Sequence, residues 1–335
     1  MGCIQSKNDL AICFVIFNPC KSKRLIMNYF YTRNAMELQG YPTFTLELVL
    51  HEEPEIQHAS NVFHVKGTSV MFHKEKLCRI LETKIPKQYK KLMFCDADLV
   101  FKNPNYYNEI SNLLDNYDVV HPFTDCVWMD LTYSETLLSR KSSVLATGKM
   151  WDYKYHPGFA WAFRRNWYNT VGFFDYAISG SGDTLSCAAW TKKEFPQRFQ
   201  SLPQALKRKY SNYRKLISDH PPRITYATGT VEHLWHGTRE NRQYSERHTV
   251  LSNVNDILDL ITENSEGVFE FRPQVYNQFN RFFIGYFTNR KDDDLSVVSQ
   301  EQSSKNTGIR ISGSEASKVS QEQSSKKPIS KIVTS

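Results

Sequence analysis

The sequence predicts an α/β protein with a mostly parallel central sheet, and three observations support this fold class. Residues Leu10 to Phe17 form an uninterrupted apolar run that ends at Asn18-Pro19, a pattern typical of a buried strand followed by a turn. Strand-like and helix-like segments then alternate along the first hundred residues, an order that favours parallel strands. The chain of 335 residues is 40% hydrophobic and 13% aromatic, which is enough for a full hydrophobic core.

Apolar periodicity predicts the elements of this first stretch in order. Helical spacing extends over Ser22 to Leu38 and over Thr68 to Thr83, and strand-like runs cover Phe44 to Leu50 and Lys91 to Cys95. Beyond about residue 103 the periodicity weakens and tryptophans gather among polar neighbours, as in a loop-rich half that binds ligands. The predicted organisation is an N-terminal segment (1–9), one domain (10–290) with a first half (10–100) and a second half (101–290), and a disordered tail (291–335).

Composition and charge exclude several classes of protein. The net charge of +7 is modest and no dense basic run with interleaved aromatic residues occurs, so nucleic-acid binding is not expected. No apolar run approaches the roughly 18 residues of a membrane span. An odd number of cysteines, seven, and the lack of a signal sequence predict a cytoplasmic protein that is not secreted. The Ser-, Gln- and Lys-rich tail, which repeats VSQEQSSK, cannot bury enough apolar surface to fold.

The first seven residues fit a lipidation signal. Gly2 would become the N-terminus after removal of Met1, and Ser6 stands at the position that N-myristoylation prefers. Cys3 could carry a palmitoyl group, and two acyl chains are needed for stable anchoring. An unmodified polar N-terminus is the alternative. Acylation of Gly2 and Cys3 would attach the protein peripherally to the cytosolic face of a membrane.

Two carboxylates separated by one residue, Asp96 and Asp98, follow the apolar strand that ends at Cys95. Open α/β sheets bind ligands at the carboxyl ends of their strands. Carboxylates at that place can hold Mg²⁺ or Mn²⁺ against a diphosphate. A surface loop is the other explanation of so short a motif, but its position behind a buried strand favours a metal site.

This arrangement resembles the DxD motif of the GT-A superfamily of nucleotide-sugar glycosyltransferases, and the resemblance extends from about residue 10 to residue 290. The segment Phe72 to Leu77 is similar to the helix start that meets the nucleotide in β-1,4-galactosyltransferase-like enzymes, where Lys74 matches a basic residue; a solvated lysine is the alternative. Sugar transferases of large DNA viruses and of bacteria are at least as similar. The resemblance implies a GT-A fold in which residues 10–100 are the nucleotide-binding half and residues 101–290 the acceptor half. It also implies a first set of donor-binding residues: Asn18, Phe72, Lys74, Lys76 and Ala97.

Two further segments resemble the sugar-binding parts of the same superfamily. Gly158 and Trp161 lie in a strand similar to the one beneath the donor sugar, where a glycine allows close approach; simple burial of Trp161 is the alternative. Gly182 and Asp183 follow in a glycine-rich turn, at the place where the resembling enzymes carry their catalytic base. The resemblance therefore implies that Asp183 is the base and that Trp161, Gly182 and Asp183 bind the acceptor. Asp183 could instead only cap the helix that runs on to Trp190.

A histidine pair, His233 and His236, is followed by a basic run. GT-A enzymes commonly complete the metal site with a ligand from this late position, and the galactosyltransferase-like members have two ligands three residues apart. The resemblance thus implies that His233 and His236 join Asp96 and Asp98 as metal ligands, although those members have a thioether where His233 stands. A structural, buried histidine is the alternative for one of the two. Imidazole ligands favour Mn²⁺ over Mg²⁺. Arg239 and Arg242 would bind the donor diphosphate with their planar guanidinium groups.

The expected function is a metal-dependent, inverting transfer of a hexose or pentose from a UDP- or GDP-sugar to a hydroxyl of a glycan or glycoconjugate. The tryptophan-rich acidic cluster of the galactosyltransferases is reduced here to Gly-Ser-Gly-Asp. The resemblance therefore does not imply which sugar is transferred or with which stereochemistry. A virus-encoded enzyme would fit the missing signal sequence. Two alternatives stay open: a catalytically silent sugar-nucleotide-binding protein tethered to a membrane, and a haloacid-dehalogenase-like phosphatase with Asp96 as its nucleophile.

Overall fold

A computed structural model describes residues 9–146, 154–193, 202–244 and 246–293. The strands are β1 (Leu10–Phe17), β2 (Thr43–Val49), β3 (Val62–Lys66), β4 (Lys91–Cys95), β5 (Leu99–Phe101), β6 (Val119–His121), β7 (Asp125–Met129), β8 (Thr136–Ser142), β9 (Tyr155–His156), β10 (Ala160–Arg164), β11 (Ile224–Tyr226), β12 (Thr230–His233), β13 (Ile261–Glu263) and β14 (Phe269–Phe271). The α-helices are α1 (Lys23–Glu37), α2 (Lys74–Lys84), α3 (Tyr106–Leu113), α4 (Arg165–Thr170), α5 (Gly182–Trp190), α6 (Gln204–Asp219) and α7 (Tyr276–Asn289).

A seven-stranded sheet in the order β11-β6-β10-β4-β1-β2-β3 forms the centre of the protein. Strand β1 pairs in parallel with both β2 and β4, and β2 pairs in parallel with β3. Strand β10 is antiparallel to both of its neighbours, β4 and β6. The predicted α/β fold with a mostly parallel central sheet, flanked by helices, is therefore confirmed.

The continuous apolar run of β1 is explained by burial on both faces of this sheet. Ala11 and Cys13 face a core shared with α2, whereas Ile12 and Phe14 face a second core shared with α1 and α3. A strand that is covered on both faces has no polar side to show, so it reads as an unbroken hydrophobic segment. This burial fixes the position of the carboxyl end of β1.

A second sheet of five strands, in the order β5-β12-β7-β8-β9, brings distant parts of the chain to the end of β4. Strand β12 is antiparallel to β5, with His233 opposite Leu99. The backbone N–H of Leu234 donates to the Asp98 carbonyl at 2.8 Å. This register sets the histidine pair beside the Asp96-Asp98 motif.

The first hundred residues differ from expectation at two places. Helix α2 begins at Lys74, six residues after the predicted start, because residues 68–73 are held in a non-helical path by contacts with distant parts of the chain. In that path Asn280 accepts a hydrogen bond from the Val70 N–H at 2.6 Å, and the Glu270 carboxylate accepts from the Thr68 N–H at 2.8 Å. Strand β3 was not predicted, since its five residues include His64 and Lys66 and form no long apolar run.

The ends of the described chain bear on the predicted boundaries. The folded part continues past residue 290, because the Asp293 carboxylate accepts hydrogen bonds from the Ser22 hydroxyl and from the N–H groups of Lys23 and Arg24 at 2.8 to 2.9 Å. Residues 294–335, which include the repeat, lie outside the described residues, as do Gly2 and Cys3. Within the described ranges, no helix combines the length and the apolar character that a bilayer-crossing segment requires.

Candidate active site and metal centre

A cleft of about 370 Å³ opens at the carboxyl ends of β1 and β4. Most of the predicted site residues line it: Asn18, Phe72, Lys74, Asp96, Ala97, Asp98, Asp183, His233, His236, Arg239 and Arg242. These residues come from segments more than two hundred positions apart in the chain. The fold therefore assembles in one place what the sequence suggested separately.

Asp98 is the centre of a compact group of metal-ligating side chains. Its Oδ2 lies 2.9 Å from Nε2 of His236 and 3.6 Å from Nε2 of His233. One potential ligand atom from each of the three residues lies within 4.8 Å of the others. The second carboxylate oxygen, Oδ1, is buried and has no hydrogen-bond partner in the described part of the chain. An unsatisfied carboxylate oxygen beside two imidazoles fits a divalent cation.

The protonation of this group suits metal binding. Burial lowers the pKa of His233 to about 3, so its imidazole is neutral near neutral pH, as a ligand must be. Burial opposes the charge on Asp98, yet the adjacent imidazoles of His233 and His236 and the guanidinium of Arg242 hold its pKa below the usual range. The carboxylate is therefore ionised. Two nitrogen ligands and one oxygen ligand are a donor set that Mn²⁺ accepts readily.

Asp96 has a different environment from Asp98. Its backbone N–H donates to the Phe159 carbonyl at 2.8 Å, and its carboxylate forms an ion pair with the Lys74 ammonium group. Burial, with the nearby charges of Asp98 and Asp183, raises the pKa of Asp96 to about 6, although Lys74 opposes the shift. The two carboxylates of the motif are thus separated, with Asp98 in the histidine cluster and Asp96 against Lys74. A role for Asp96 as a metal ligand stays a prediction.

Asp183 occupies a space that a glycine leaves open. A β-carbon on Gly158 would lie 2.4 Å from Oδ2 of Asp183, so the carboxylate rests directly over the Gly158 backbone. The N-cap position of α5 belongs to Ser181, in a left-handed conformation, and not to Asp183. Oδ1 of Asp183 accepts a hydrogen bond from the Thr184 N–H at 2.6 Å. The Asp183 side chain lines the cleft within the first turn of the helix.

Glu75 is a cleft carboxylate that the sequence analysis missed. It is buried, and a β-carbon on Gly182 would lie 2.3 Å from its carboxyl carbon. Burial raises the pKa of Glu75 to about 7; the Lys74 charge opposes the shift and Asp183 adds to it. Gly182 thus makes room for Glu75, as Gly158 does for Asp183. In the sequence, Glu75 is only an acidic residue next to Lys74. It cannot be told apart from the acidic residues that commonly occupy the first turn of a helix.

Arginines form the opposite wall of the cleft. Arg242, which was predicted, donates from Nη2 to the His236 carbonyl at 2.8 Å, and Arg239 lies 5.7 Å from the centre of the Trp128 ring. Arg247, which was not predicted, is buried, lies 4.7 Å from the Phe72 ring centre and donates to the Ser181 hydroxyl at 3.0 Å. Its Nε has no partner within the described ranges. This buried donor suits an anionic ligand.

Two predicted side chains, those of Trp161 and Lys76, point away from the cleft, and the predicted glycines Gly158 and Gly182 are not among the residues that line it. The Trp161 side chain is in the core, 2% exposed, where its indole N–H donates to the Pro157 carbonyl at 2.8 Å and its ring stacks on His121. Lys76 faces the far side of α2, where its ammonium group pairs with Glu263 at 2.8 Å and lies over the Phe269 ring. The expected contacts of Trp161 with sugar and of Lys76 with the donor are corrected accordingly, since helical and strand geometry turn both side chains away from the cleft.

The chain matches no protein-family model and no curated protein. It is similar to the solved catalytic domain of Drosophila β-1,4-galactosyltransferase 7 with xylobiose, at 11% identity and a TM-score of 0.36, over 82% of this chain and 98% of that one. A mutant of that enzyme with manganese, UDP-Gal and xylobiose gives 12% identity and a TM-score of 0.38, over 82% and 98%. Glucosyl-3-phosphoglycerate synthase from Mycobacterium tuberculosis with Mg²⁺ and UDP is 9% identical with a TM-score of 0.34. That match covers 79% of this chain and 87% of the synthase chain. All three identities are below 25% and all three TM-scores are below 0.5, so these likenesses assign the chain to no family.

Proposed function

We propose that this protein is a metal-dependent glycosyltransferase that moves a sugar from a nucleoside diphosphate sugar to a hydroxyl of a glycan or glycoconjugate, with inversion at the anomeric carbon. The observation that carries the proposal is the cluster of Asp98, His233 and His236 in a cleft that also holds arginines and a buried carboxylate. Cationic groups suit a diphosphate, and a separate carboxylate suits a proton acceptor.

The donor diphosphate is bound at the histidine end of the cleft. Asp98, His233 and His236 would hold Mn²⁺ or Mg²⁺, and Asp96 is within the same motif. When bound, the cation neutralises the charge that develops on the departing diphosphate. Arg242 and Arg247 add charge-assisted hydrogen bonds to phosphate oxygens. The Arg247 guanidinium lies 4.7 Å from the centre of the Phe72 ring.

The acceptor hydroxyl is bound at the carboxylate end. Asp183 accepts the proton of that hydroxyl while the hydroxyl oxygen forms a bond to the anomeric carbon and the bond from that carbon to the diphosphate breaks. The single displacement inverts the configuration of the anomeric carbon. Gly158 contributes by leaving the space in which the Asp183 carboxylate lies.

Peripheral attachment to a membrane through acylation of Gly2 and Cys3 is part of the same proposal, and it would place the enzyme at the cytosolic face. The support is the sequence pattern at the N-terminus. Intact-mass measurement of the protein purified from eukaryotic cells should show the mass of a myristoyl group on Gly2. An unmodified mass, with only Met1 removed, would remove this part of the proposal and leave the transferase intact.

The transferase is tested by a thermal-shift screen of UDP- and GDP-sugars with and without Mn²⁺. A ligand that binds only the native state raises the melting temperature by mass action, so the true donor should raise it more with Mn²⁺ than without. The selected nucleotide sugar should then be hydrolysed slowly to UDP or GDP. A silent binding protein would show the shift without hydrolysis, and the absence of any shift would contradict the proposal.

A further inference from the structure

A loop of exposed lysines lies at the end of the central sheet opposite the cleft. It connects α2 to β4 and carries Lys84, Lys87 and Lys90, all of them exposed. This lysine loop precedes β4, whereas the Asp96-Asp98 motif follows β4, so loop and cleft are at opposite ends of the strand. The Lys87 side chain is 75% exposed and lies 3.7 Å from Glu82. The catalytic mechanism proposed above uses none of the three lysines.

The N-terminal segment joins the folded domain beside this lysine loop. Strand β1 is parallel to β4, with Leu10 opposite Lys91, and the Lys91 N–H donates to the Asp9 carbonyl at 3.1 Å. Residues 1–8, which carry the acylation pattern, therefore precede a position next to the loop. Leu38 is 89% exposed and lies between α1 and β2, which is parallel to β1, so it is at the same end. The acylation pattern, an exposed apolar side chain and three lysines thus share one end of the sheet.

The carboxylates around the lysine loop are already paired with other basic residues. Glu82 pairs with the buried guanidinium of Arg165 at 2.6 Å. The buried ammonium group of Lys91 pairs with Asp9 at 3.1 Å and with Asp115 at 2.8 Å. Lys91 balances one of these two carboxylates, so a single negative charge is left against three exposed lysines. The surface around the loop is therefore positive and suits an anionic partner.

We propose that this end of the protein, with the lysine loop and Leu38, is a docking surface for a membrane that contains anionic phospholipids. Lysines near an anionic bilayer are attracted by its headgroups. A single acyl chain binds a membrane only marginally and needs such a second signal for stable attachment. The inference rests on the proposed function in one respect, the acylation of Gly2. It deepens that proposal by naming the surface that meets the membrane.

This orientation bears on the acceptor of the proposed transferase. The eight residues of β1 separate the two ends of the sheet, a span of about 25 Å for a strand of that length. The cleft therefore opens away from the bilayer. An acceptor hydroxyl that reaches it belongs to a soluble molecule or to a chain that extends this far from the lipid headgroups.

The first test measures sedimentation of the full, unacylated chain with vesicles of phosphatidylcholine and phosphatidylserine, and with vesicles of phosphatidylcholine alone. Replacing Lys87 and Lys90 together by Gln should weaken binding to the anionic vesicles about 25-fold, since each lysine near such a surface contributes about fivefold. The charge-matched control replaces Lys21 and Lys23, two exposed lysines that follow β1 at the cleft end, and should leave binding almost unchanged. Leu38→Ser should weaken binding to both kinds of vesicle.

The orientation is tested with an environment-sensitive fluorophore placed at either end. On Gln88→Cys in the lysine loop, with Cys3 and Cys20 replaced by Ser, the label should gain intensity when the anionic vesicles are added. On the native Cys20, which is exposed at the cleft, the same label in Cys3→Ser protein should not change. Circular dichroism checks that each variant is folded.

Other outcomes would overturn the inference. Equal losses in the two lysine pairs would show an effect of net charge alone, and equal binding of the wild type to neutral and anionic vesicles would leave the lysines without a role. A response of the label on Cys20 and not on residue 88 would place the cleft against the membrane. If vesicle binding fails while the donor raises the melting temperature and is hydrolysed, this inference fails and the transferase stands. An unmodified intact mass removes the acyl chain, yet binding of the unacylated chain still decides the docking surface.

Discussion

The two ends of the cleft hold their carboxylates in different ways. At the histidine end, Asp98 lies beside the imidazoles of His233, the last residue of β12, and of His236, three residues further on. At the other end, Asp183 and Glu75 lie over glycine backbones, and the nearby ammonium group of Lys74 already pairs with Asp96. The carboxylate charge is compensated by imidazole and guanidinium groups at the first end and only in part, by Lys74, at the second. Changes at the first end should therefore weaken binding, whereas changes at the second should lower turnover or alter pH dependence.

The largest expected effect is at the carboxylate end. Asp183→Asn removes a base that acts only in the transition state, so kcat should fall by about 10² to 10⁴ while donor affinity is kept. Steady-state kinetics with the donor found by thermal shift, and calorimetric titration of UDP or GDP, measure the two quantities. Wild-type turnover in this variant, or a product with retained anomeric configuration by NMR, would contradict the assignment. Asn also tolerates helix starts well, so a purely structural role predicts near-neutral behaviour.

The matching change at the histidine end is Asp98→Asn. It removes the ionised ligand of the cluster, so Mn²⁺-dependent affinity for UDP or GDP should fall by about 100-fold or more. His236→Ala should weaken it less, because carboxylate and diphosphate ligands remain. Calorimetry with and without Mn²⁺ measures both. Unchanged Mn²⁺-dependent affinity in Asp98→Asn would contradict the assignment of Asp98 as a metal ligand.

Gly158→Ala tests whether the carboxylate end depends on a glycine. The new methyl group would lie 2.4 Å from Asp183 Oδ2, so the carboxylate must move, and a displacement near 1 Å can cost about 10²-fold in rate. Gly285→Ala is the matched control, because a β-carbon there meets nothing within 4 Å. We expect kcat to fall only in the first variant. Equal kcat in both would mean that Asp183 does not need its present position.

The last prediction concerns Glu75 and affects the pH dependence of stability and not turnover or ligand affinity. Burial raises its pKa from 4.5 to about 7, so the folded protein binds more protons than the unfolded chain between these pH values, and the free energy of unfolding falls as the pH rises through them. Glu75→Gln removes this decline. From pH 4.5 to pH 8 the variant should gain up to about 3 kcal/mol relative to the wild type in urea unfolding. A constant difference across this range would contradict the shift.

Local patterns in the sequence were enough to predict some elements of the fold. Strand β1 was predicted to the residue because a doubly buried strand has an unbroken apolar pattern. The start of α1 was nearly correct because Ser22 is a recognisable cap, its hydroxyl accepting from the Leu25 N–H. The histidine pair was assigned to the metal site through the resemblance to GT-A enzymes, because the short strand β12 has no apolar pattern that would fix its register.

The missed residues depend on contacts between distant segments. Glu75 matters because Gly182, over a hundred residues later, leaves space for its carboxylate. Arg247 and Asp292 line the cleft because of contacts that form only when the chain folds. No periodicity in the neighbouring sequence marks either residue. Trp161 was misplaced because a strand pattern does not reveal which face looks into a cleft and which into the core.

The claim that a metal held by histidine binds a diphosphate in this cleft is tested most directly by pulsed EPR of Mn²⁺ with UDP, on protein labelled with ¹⁵N-histidine. The account predicts couplings to ¹⁵N and to ³¹P in the same spectrum, and loss of the ¹⁵N coupling in a variant with His233 and His236 both replaced by Ala. A spectrum with ³¹P coupling but no ¹⁵N coupling would mean that the nucleotide carries its metal without these ligands, and would contradict the account.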